Sequence, residues 1–138
     1  MKVYLAGIMD SVIDTPEVMT GWRNQAKDYF AENHCAISVL DPCRRPHFAD
    51  LTDEEVVALD LKDVENSDVL LADCRDHGKP TFGTPVEIFY MNRILRRPVI
   101  GWYDEMGYRE RSIFQNVFVT RMLPSLEQAM DHIIEFYA

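Results

Sequence analysis

The run Ser67–Asp73 (SDVLLAD) is apolar without alternation, and it limits the possible folds most. A strand with one wet face alternates apolar and polar residues, whereas a strand covered on both faces by helices does not. An acidic helix pattern precedes this run, and a loop with Gly and Pro, then a second helix pattern, follows it. Short apolar runs repeat elsewhere at Val3–Ala6, Ala36–Leu40 and Pro98–Trp102, and Val117–Val119 is expected to add a short fifth strand. Helix signals fall between them. Thr15-Pro16-Glu17 opens one helix that runs to about Asn33 with Trp22, Ala26, Tyr29 and Phe30 inward. Thr52-Asp53-Glu54-Glu55 is a capping box opening another, with Val57, Leu61 and Val64 on one face and Asp60 at its margin. A third spans Thr84 to about Arg96-Arg97, and a last amphipathic helix runs from Ser125 to Tyr137 with Leu126, Ala129, Ile133 and Phe136 on its apolar side. This alternation predicts an α/β fold: one domain over residues 1–138, a three-layer sandwich with a mostly parallel sheet of about five strands.

Composition narrows the function. A formal charge of −9 disfavours a nucleic-acid polymer as partner, because a phosphate backbone needs a basic surface. No apolar run is long enough to span a bilayer, and the N-terminus lacks a signal-peptide pattern, so a cytoplasmic protein is expected. The three cysteines, Cys35, Cys43 and Cys74, form no CxxC pair and are expected to be reduced thiols; Cys74 reads as a buried bystander before a nucleophile. The four histidines lack metal-site spacing, so neither metal nor cofactor is expected. Arg44-Arg45, Arg96-Arg97 and Arg109/Arg111 read as solvated surface charge.

In an open parallel sheet, ligands bind beyond the carboxyl ends of the strands. Glu87, in the helix after the loop that leaves Ser67–Asp73, stands at that mouth, and Asp60 approaches it from the preceding helix. Two carboxylates at one cleft suit chemistry at an acetal-like carbon. A helix-start position is expected to keep Glu87 ionised through the helix dipole. Thr84-Pro85-Val86-Glu87 also has the capping-box pattern, in which Glu87 serves only a backbone N–H, and the sequence leaves both roles open. Gly83 admits either a ligand close to the backbone or a turn. Trp22 and Tyr90 read as core packing before stacking platforms.

Taken in order, Tyr4-Leu5-Ala6-Gly7, Gly21-Trp22-Arg23, Leu40-Asp41-Pro42, Leu59-Asp60-Leu61, Gly83-Thr84-Pro85-Val86-Glu87-Ile88 and Arg97-Pro98-Val99-Ile100 resemble the nucleoside 2-deoxyribosyltransferase family over residues 3 to about 102. The resemblance implies a flavodoxin-like or Rossmann-like fold and cleavage of the N-glycosidic bond of a 2′-deoxynucleoside, with transfer of the sugar to a free nucleobase. It implies that Glu87 is the nucleophile, that Asp60 assists the leaving base or holds the sugar, and that Tyr4 positions the glutamate. Gly7, Ile8, Met9 and Asp41 would line the pocket, with Thr81 and Gly83 in the sugar-proximal loop. It further implies a homo-oligomer in which a neighbour's segment near residues 108 to 116 completes each site. Thr81 stands where some members carry an acid, and related nucleotide N-hydrolases use small hydroxylated residues there and in a neighbour's loop. Thr81 and Ser112, with Arg109 or Arg111 for a 5′-phosphate, fit that second pattern. Transfer, hydrolysis and a non-catalytic nucleotide-binding module are the three readings that follow.

Overall fold

The computed structural model describes residues 1–9, 17–45, 50–107 and 113–138. Five parallel strands form one sheet in the order β2-β1-β3-β4-β5, with β1 at Lys2–Ala6, β2 at Ser38–Leu40, β3 at Val69–Asp73, β4 at Val99–Trp102 and β5 at Arg121–Leu123. This is the flavodoxin-like order, in which the chain reverses its direction of winding between β1 and β3. Every residue of β3 is buried, as its unbroken apolar sequence requires. Val3, Leu5, Val69, Leu71 and Ile100 point to one face, where they meet α1 (Trp22–Asn33) and α5 (Leu126–Tyr137). Tyr4, Ala6, Leu70, Ala72 and Val99 point to the other, against α2 (Asp53–Glu65) and α3 (Gly83–Phe89).

Helix starts follow the local chemistry. Thr52 Oγ1 accepts from the Glu55 N–H at 3.2 Å while Glu55 Oε1 accepts from the Thr52 N–H at 3.1 Å, so the capping box at α2 is real. Ser125 caps α5 in the same manner through the Gln128 N–H. A π-helical turn at Glu17–Gly21 leads into α1, and another at Tyr90–Ile94 prolongs α3. The chain leaves that second turn through Arg96, whose φ of 56° is left-handed, ahead of Pro98.

Three expectations are corrected. Residues Val117–Val119 do not form a strand: Ile113–Phe118 is a helix, α4, and the fifth strand lies four residues later at Arg121–Leu123. A short Val/Phe run between turns fits either state, and only the sheet edge decides. Val57 is 55% exposed, because α2 turns Asp63 and Val64 inward in its place. Phe136 is 62% exposed and stacks on His132 with ring centroids 4.5 Å apart, outside the core.

Gly101 in the middle of β4 has no room for a side chain. A Cβ there would stand 2.9 Å from Met122 Sδ and 3.0 Å from both Cys74 Sγ and Val119 Cγ1. Gly101→Ala should therefore destabilise the fold by about 1–3 kcal/mol, read as a lower urea midpoint with an unchanged m-value.

Candidate active site

The site grows from the switch point between β1 and β3. Tyr4 points its ring into the α2/α3 layer and is fully buried, which brings its hydroxyl to the inner side of α3. There Tyr4 Oη donates to Glu87 Oε1 at 2.7 Å, a bond between residues 83 apart in sequence. Glu87 is 9% exposed. Helix α3 begins at Gly83 with Phe82 at its N-cap and no side-chain cap bond, so Glu87 sits in the second turn and the capping-box role is absent. The expectation of an ionised carboxylate is also overturned. Burial, above all, pushes the Glu87 carboxyl up to about 8, and the nearby charge of Asp60 adds to the rise. The Tyr4 hydrogen bond and Arg23 pull the other way without cancelling it. The same burial, with Glu87 and Asp60 beside it, raises Tyr4 far above the usual phenol range.

Asp60 is half-buried at the margin of α2, close enough for its charge to act on both Tyr4 and Glu87. Burial raises its own carboxyl, against the pull of Arg45, whose Nη1 donates to Asp60 Oδ1 at 2.7 Å. Arg45 also reaches Asp63 Oδ2 at 2.5 Å, and Arg44 grips both oxygens of Asp63 at 2.7 and 2.9 Å. Arg45 is thus not loose surface charge, and with Arg44, which stays exposed as expected, it clamps the two carboxyls of α2. Arg97 likewise donates to the Glu65 and Ser67 carbonyls at the end of α2, whereas Arg109 and Arg111 lie outside the described residues.

A third cation frames the opposite rim. Arg23 is fully buried and donates to the Gly7 carbonyl at 3.0 Å, the Ile8 carbonyl at 3.3 Å and the Met19 carbonyl. Its Nε lies 3.6 Å from Asp41, which also pairs with Lys27 at 2.9 Å and accepts from the Cys43 N–H. Arg23 and Asp41 together tie the exits of β1 and β2. Gly7 is glycine because a Cβ would lie 2.9 Å from Trp22 and 3.2 Å from Arg23 and Asp73. Ile8 is buried and Met9 half-buried just beyond it.

The remaining expected residues fall elsewhere. Thr81 is exposed and lines a hollow of about 210 Å³ between the loop after β3, α3 and α4, together with Thr84, Ile88, Gln115 and Phe118. Glu87 is not among the lining residues, since Thr84 and Ile88 occupy the face of α3 that looks that way. Gly83 is exposed with open space where a Cβ would stand and no left-handed φ, so a turn does not require glycine there. Ser112 lies outside the described residues. Cys74 forms the floor of the hollow, and burial pushes its thiol up to about 12, which removes it as a nucleophile. Among the described residues no group of three or more His, Cys, Asp and Glu side chains could hold a metal ion, and no helix is long and apolar enough to cross a membrane.

Among solved structures, the chain has the fold of nucleoside 2-deoxyribosyltransferases. A 2-desoxiribosyltransferase from Leishmania mexicana superposes with a TM-score of 0.74 at 13% identity, covering 99% of each chain. A 2-deoxyribosyltransferase from Bacillus psychrosaccharolyticus gives 0.70 at 18% identity, over 100% of this chain and 93% of that one. A conserved protein from Enterococcus faecalis V583 gives 0.76 at 16% identity and 97% of each chain. No protein-family model and no curated protein matches the sequence.

The ionisation of Glu87 has a thermodynamic signature. Between its ordinary value of 4.5 and about 8 the folded chain keeps a proton that the unfolded chain has lost, so this group's contribution to stability falls as pH rises through that window. Glu87→Gln cannot titrate. The urea midpoint of the variant relative to the parent should climb from pH 5 to pH 9; a difference flat with pH would mean that Glu87 titrates near its ordinary value.

Proposed function

We propose that the protein cleaves the N-glycosidic bond of a 2′-deoxynucleoside and transfers the sugar to another nucleobase, with Glu87 as nucleophile. The observation that carries this reading is the buried Glu87 carboxyl held by Tyr4 at the switch point, beside a second carboxyl on α2. The fold shared with two deoxyribosyltransferases supports it. One Glu87 oxygen is spent on Tyr4, and the other attacks C1′. The bond from C1′ to the base nitrogen breaks, its electron pair leaves with the base, and Asp60, whose carboxyl burial raises, takes a proton from solvent and passes it to the base. Glu87 reacts in its ionised form, its proton having gone to solvent beforehand, and the positive charge gathering on C1′ is stabilised by that carboxylate as the bond breaks. A second base then attacks C1′, the ester bond to Glu87 breaks, and the proton released by the incoming nitrogen returns to Asp60. Gly7, Ile8, Met9, Asp41, Thr81, Gly83 and Ser112 are proposed to shape the substrate pocket. Hydrolysis of a 5′-monophosphate is the second reading, favoured by the hydroxyl of Thr81 in place of an acid; there water takes the part of the second base.

We also propose a homo-oligomer. Phe82, Val86 and Phe89 at α3, with Ile113, Phe114 and Val117 on α4, are all 44% exposed or more, an apolar surface that suits a second copy of the chain. Such a contact would bring α4 of one copy against the other. Phe114→Asp should then lower the mass seen by light scattering without loss of helix content; an unchanged mass would remove this surface as the interface.

Incubation with a deoxynucleoside and a different free base separates the reactions: a new nucleoside marks transfer, free sugar marks hydrolysis, and no product leaves only binding. Glu87→Gln should lower turnover by at least about a thousandfold with the fold retained. In the parent, kcat/KM should rise with pH, pass half its maximum near 8 and level off above that as Glu87 loses its proton. Tyr4→Phe removes a hydrogen bond that lowers the Glu87 value, so the profile should shift to higher pH, with roughly tenfold lower kcat/KM at neutral pH. A Tyr4→Phe profile that overlays the parent would reduce Tyr4 to packing.

A further inference from the structure

Two arginines and two aspartates form one unbroken chain of contacts along α2. Asp60 and Asp63 stand three residues apart and so share a face of the helix. Arg45 bridges them. Its Nη1 donates to Asp60 Oδ1 at 2.7 Å, and its Nη2 donates to Asp63 Oδ2 at 2.5 Å and to the Leu59 carbonyl at 3.2 Å. Arg44 holds Asp63 from the other side with bonds of 2.7 and 2.9 Å. Of these four side chains, Arg44 at the far end is open to solvent, and the other three are nearly enclosed.

The two acids are served unequally. Asp63 accepts three charge-assisted bonds, whereas among the described residues Asp60 accepts one, on Oδ1. An arginine beside a lone carboxylate closes a two-bond fork on it and holds it ionised. Here the fork does not close on Asp60, because Nη2 is turned to Asp63 and Leu59. Asp60 Oδ2 is therefore left out of the guanidinium's grip. The charges around Asp60 act in the same sense. Burial raises its carboxyl, Arg45 and Arg44 pull it down, and Asp63 pushes it back up. On its other sides stand Tyr4 from β1, Glu87 from α3 and Cys43 from the segment after β2, none of them a cation. Without the Asp63 charge, Arg45 would have Asp60 as its one carboxylate among the described residues.

We propose that Asp63 is a positioning residue for Asp60: by taking half of the Arg45 fork, it leaves one Asp60 oxygen free to carry a proton to the departing base. Arg44 completes the device, since it neutralises Asp63 and keeps that acid from drawing Arg45 away altogether. The role of Asp60 rests on the reaction proposed above, but the coupling of the two acids is measured without turnover.

Carboxyl-carbon NMR titration of the full chain follows Asp60 directly, its signal assigned by its loss in Asp60→Asn. Two substitutions should move its midpoint in opposite directions. Asp63→Asn should lower it by roughly one pH unit, because Arg45 then bears on Asp60 alone. Arg44→Gln, at the exposed end of the chain of contacts, should raise it, because Asp63 then draws Arg45 harder. A merely structural role would move both variants alike or neither. In turnover at pH 7, Asp63→Asn should slow cleavage of deoxyadenosine roughly tenfold, while a 2-deoxyriboside of 4-nitrophenol, whose leaving group needs no proton, should lose less than about twofold. Midpoints that fail to move apart, or equal losses on the two leaving groups, would overturn the proposal. Should Asp63→Asn not fold, the Arg44→Gln midpoint decides alone: a rise supports the proposal, and no change or a fall overturns it. A parent inactive on both substrates, with midpoints that still move apart, would remove the reaction proposed above and leave the coupling of the acids standing.

Discussion

The hydrogen bond from Tyr4 to Glu87 requires the rest of the architecture to be in place. Its two ends belong to the first strand and to a helix 83 residues later, and they meet only because β1 lies directly beside β3 in parallel register, with Tyr4 opposite Leu70. Alternation along β1 then decides the outcome: Val3 and Leu5 face α1 and α5, so Tyr4 must face α2 and α3. A slip of one residue would send the phenol to the wrong layer and leave Glu87 buried without a donor. The bond thus depends on the strand order, the register and the rotation of α3 together.

Burying acids at that point is costly, and the chain offsets the cost with arginines from the segment after β2 and from the start of α1. Arg45 and Arg44 leave the end of β2 and grip Asp60 and Asp63 on α2. Arg23 rises from the start of α1 and holds the carbonyls that follow β1 while approaching Asp41. The Arg45 and Arg23 pairs exchange hydration for a nearly enclosed partner, and removing one member alone is strongly destabilising. A chain with a formal charge of −9 therefore places cations where its carboxyls crowd, and the acidic surplus is carried elsewhere.

The central strand and two of the helix starts were readable because each has a local cause. The unbroken apolar run of β3, the capping box at Thr52 and the Ser125 cap needed no tertiary information. The identity of the fifth strand did need it, since Val117–Val119 satisfies helix and strand patterns equally well and α4 packs Phe118 against Phe89 at 5.3 Å. The meeting of Glu87, Asp60 and Tyr4 was legible in the motif, but the raised carboxyl of Glu87 was not. Its value depends on how deep the helix sits and on a neighbour 83 positions away, and neither quantity is written locally. Buried arginines are equally silent in a sequence: Arg23 looks like any other charge in an amphipathic helix until the carbonyls of Gly7 and Ile8 surround it.

Asp73, the last residue of β3, joins the two halves of the molecule. Burial pulls its carboxyl upward, yet the hydrogen bonds from His77 and Arg75 hold it below the usual carboxylate range, so it stays charged where Glu87 does not. On one side its Cβ crowds the space beside Gly7 that a side chain would need. On the other it fixes Arg75 and His77, which line the hollow beneath Thr81 as well as a second hollow beside Trp22 and Trp102. Two carboxyls at the carboxyl end of one sheet thus take opposite states for a single reason. Asp73 has cations and N–H donors within reach and stays ionised as a structural pivot. Glu87 has one phenol and an acidic neighbour, and burial holds its carboxyl up at about 8.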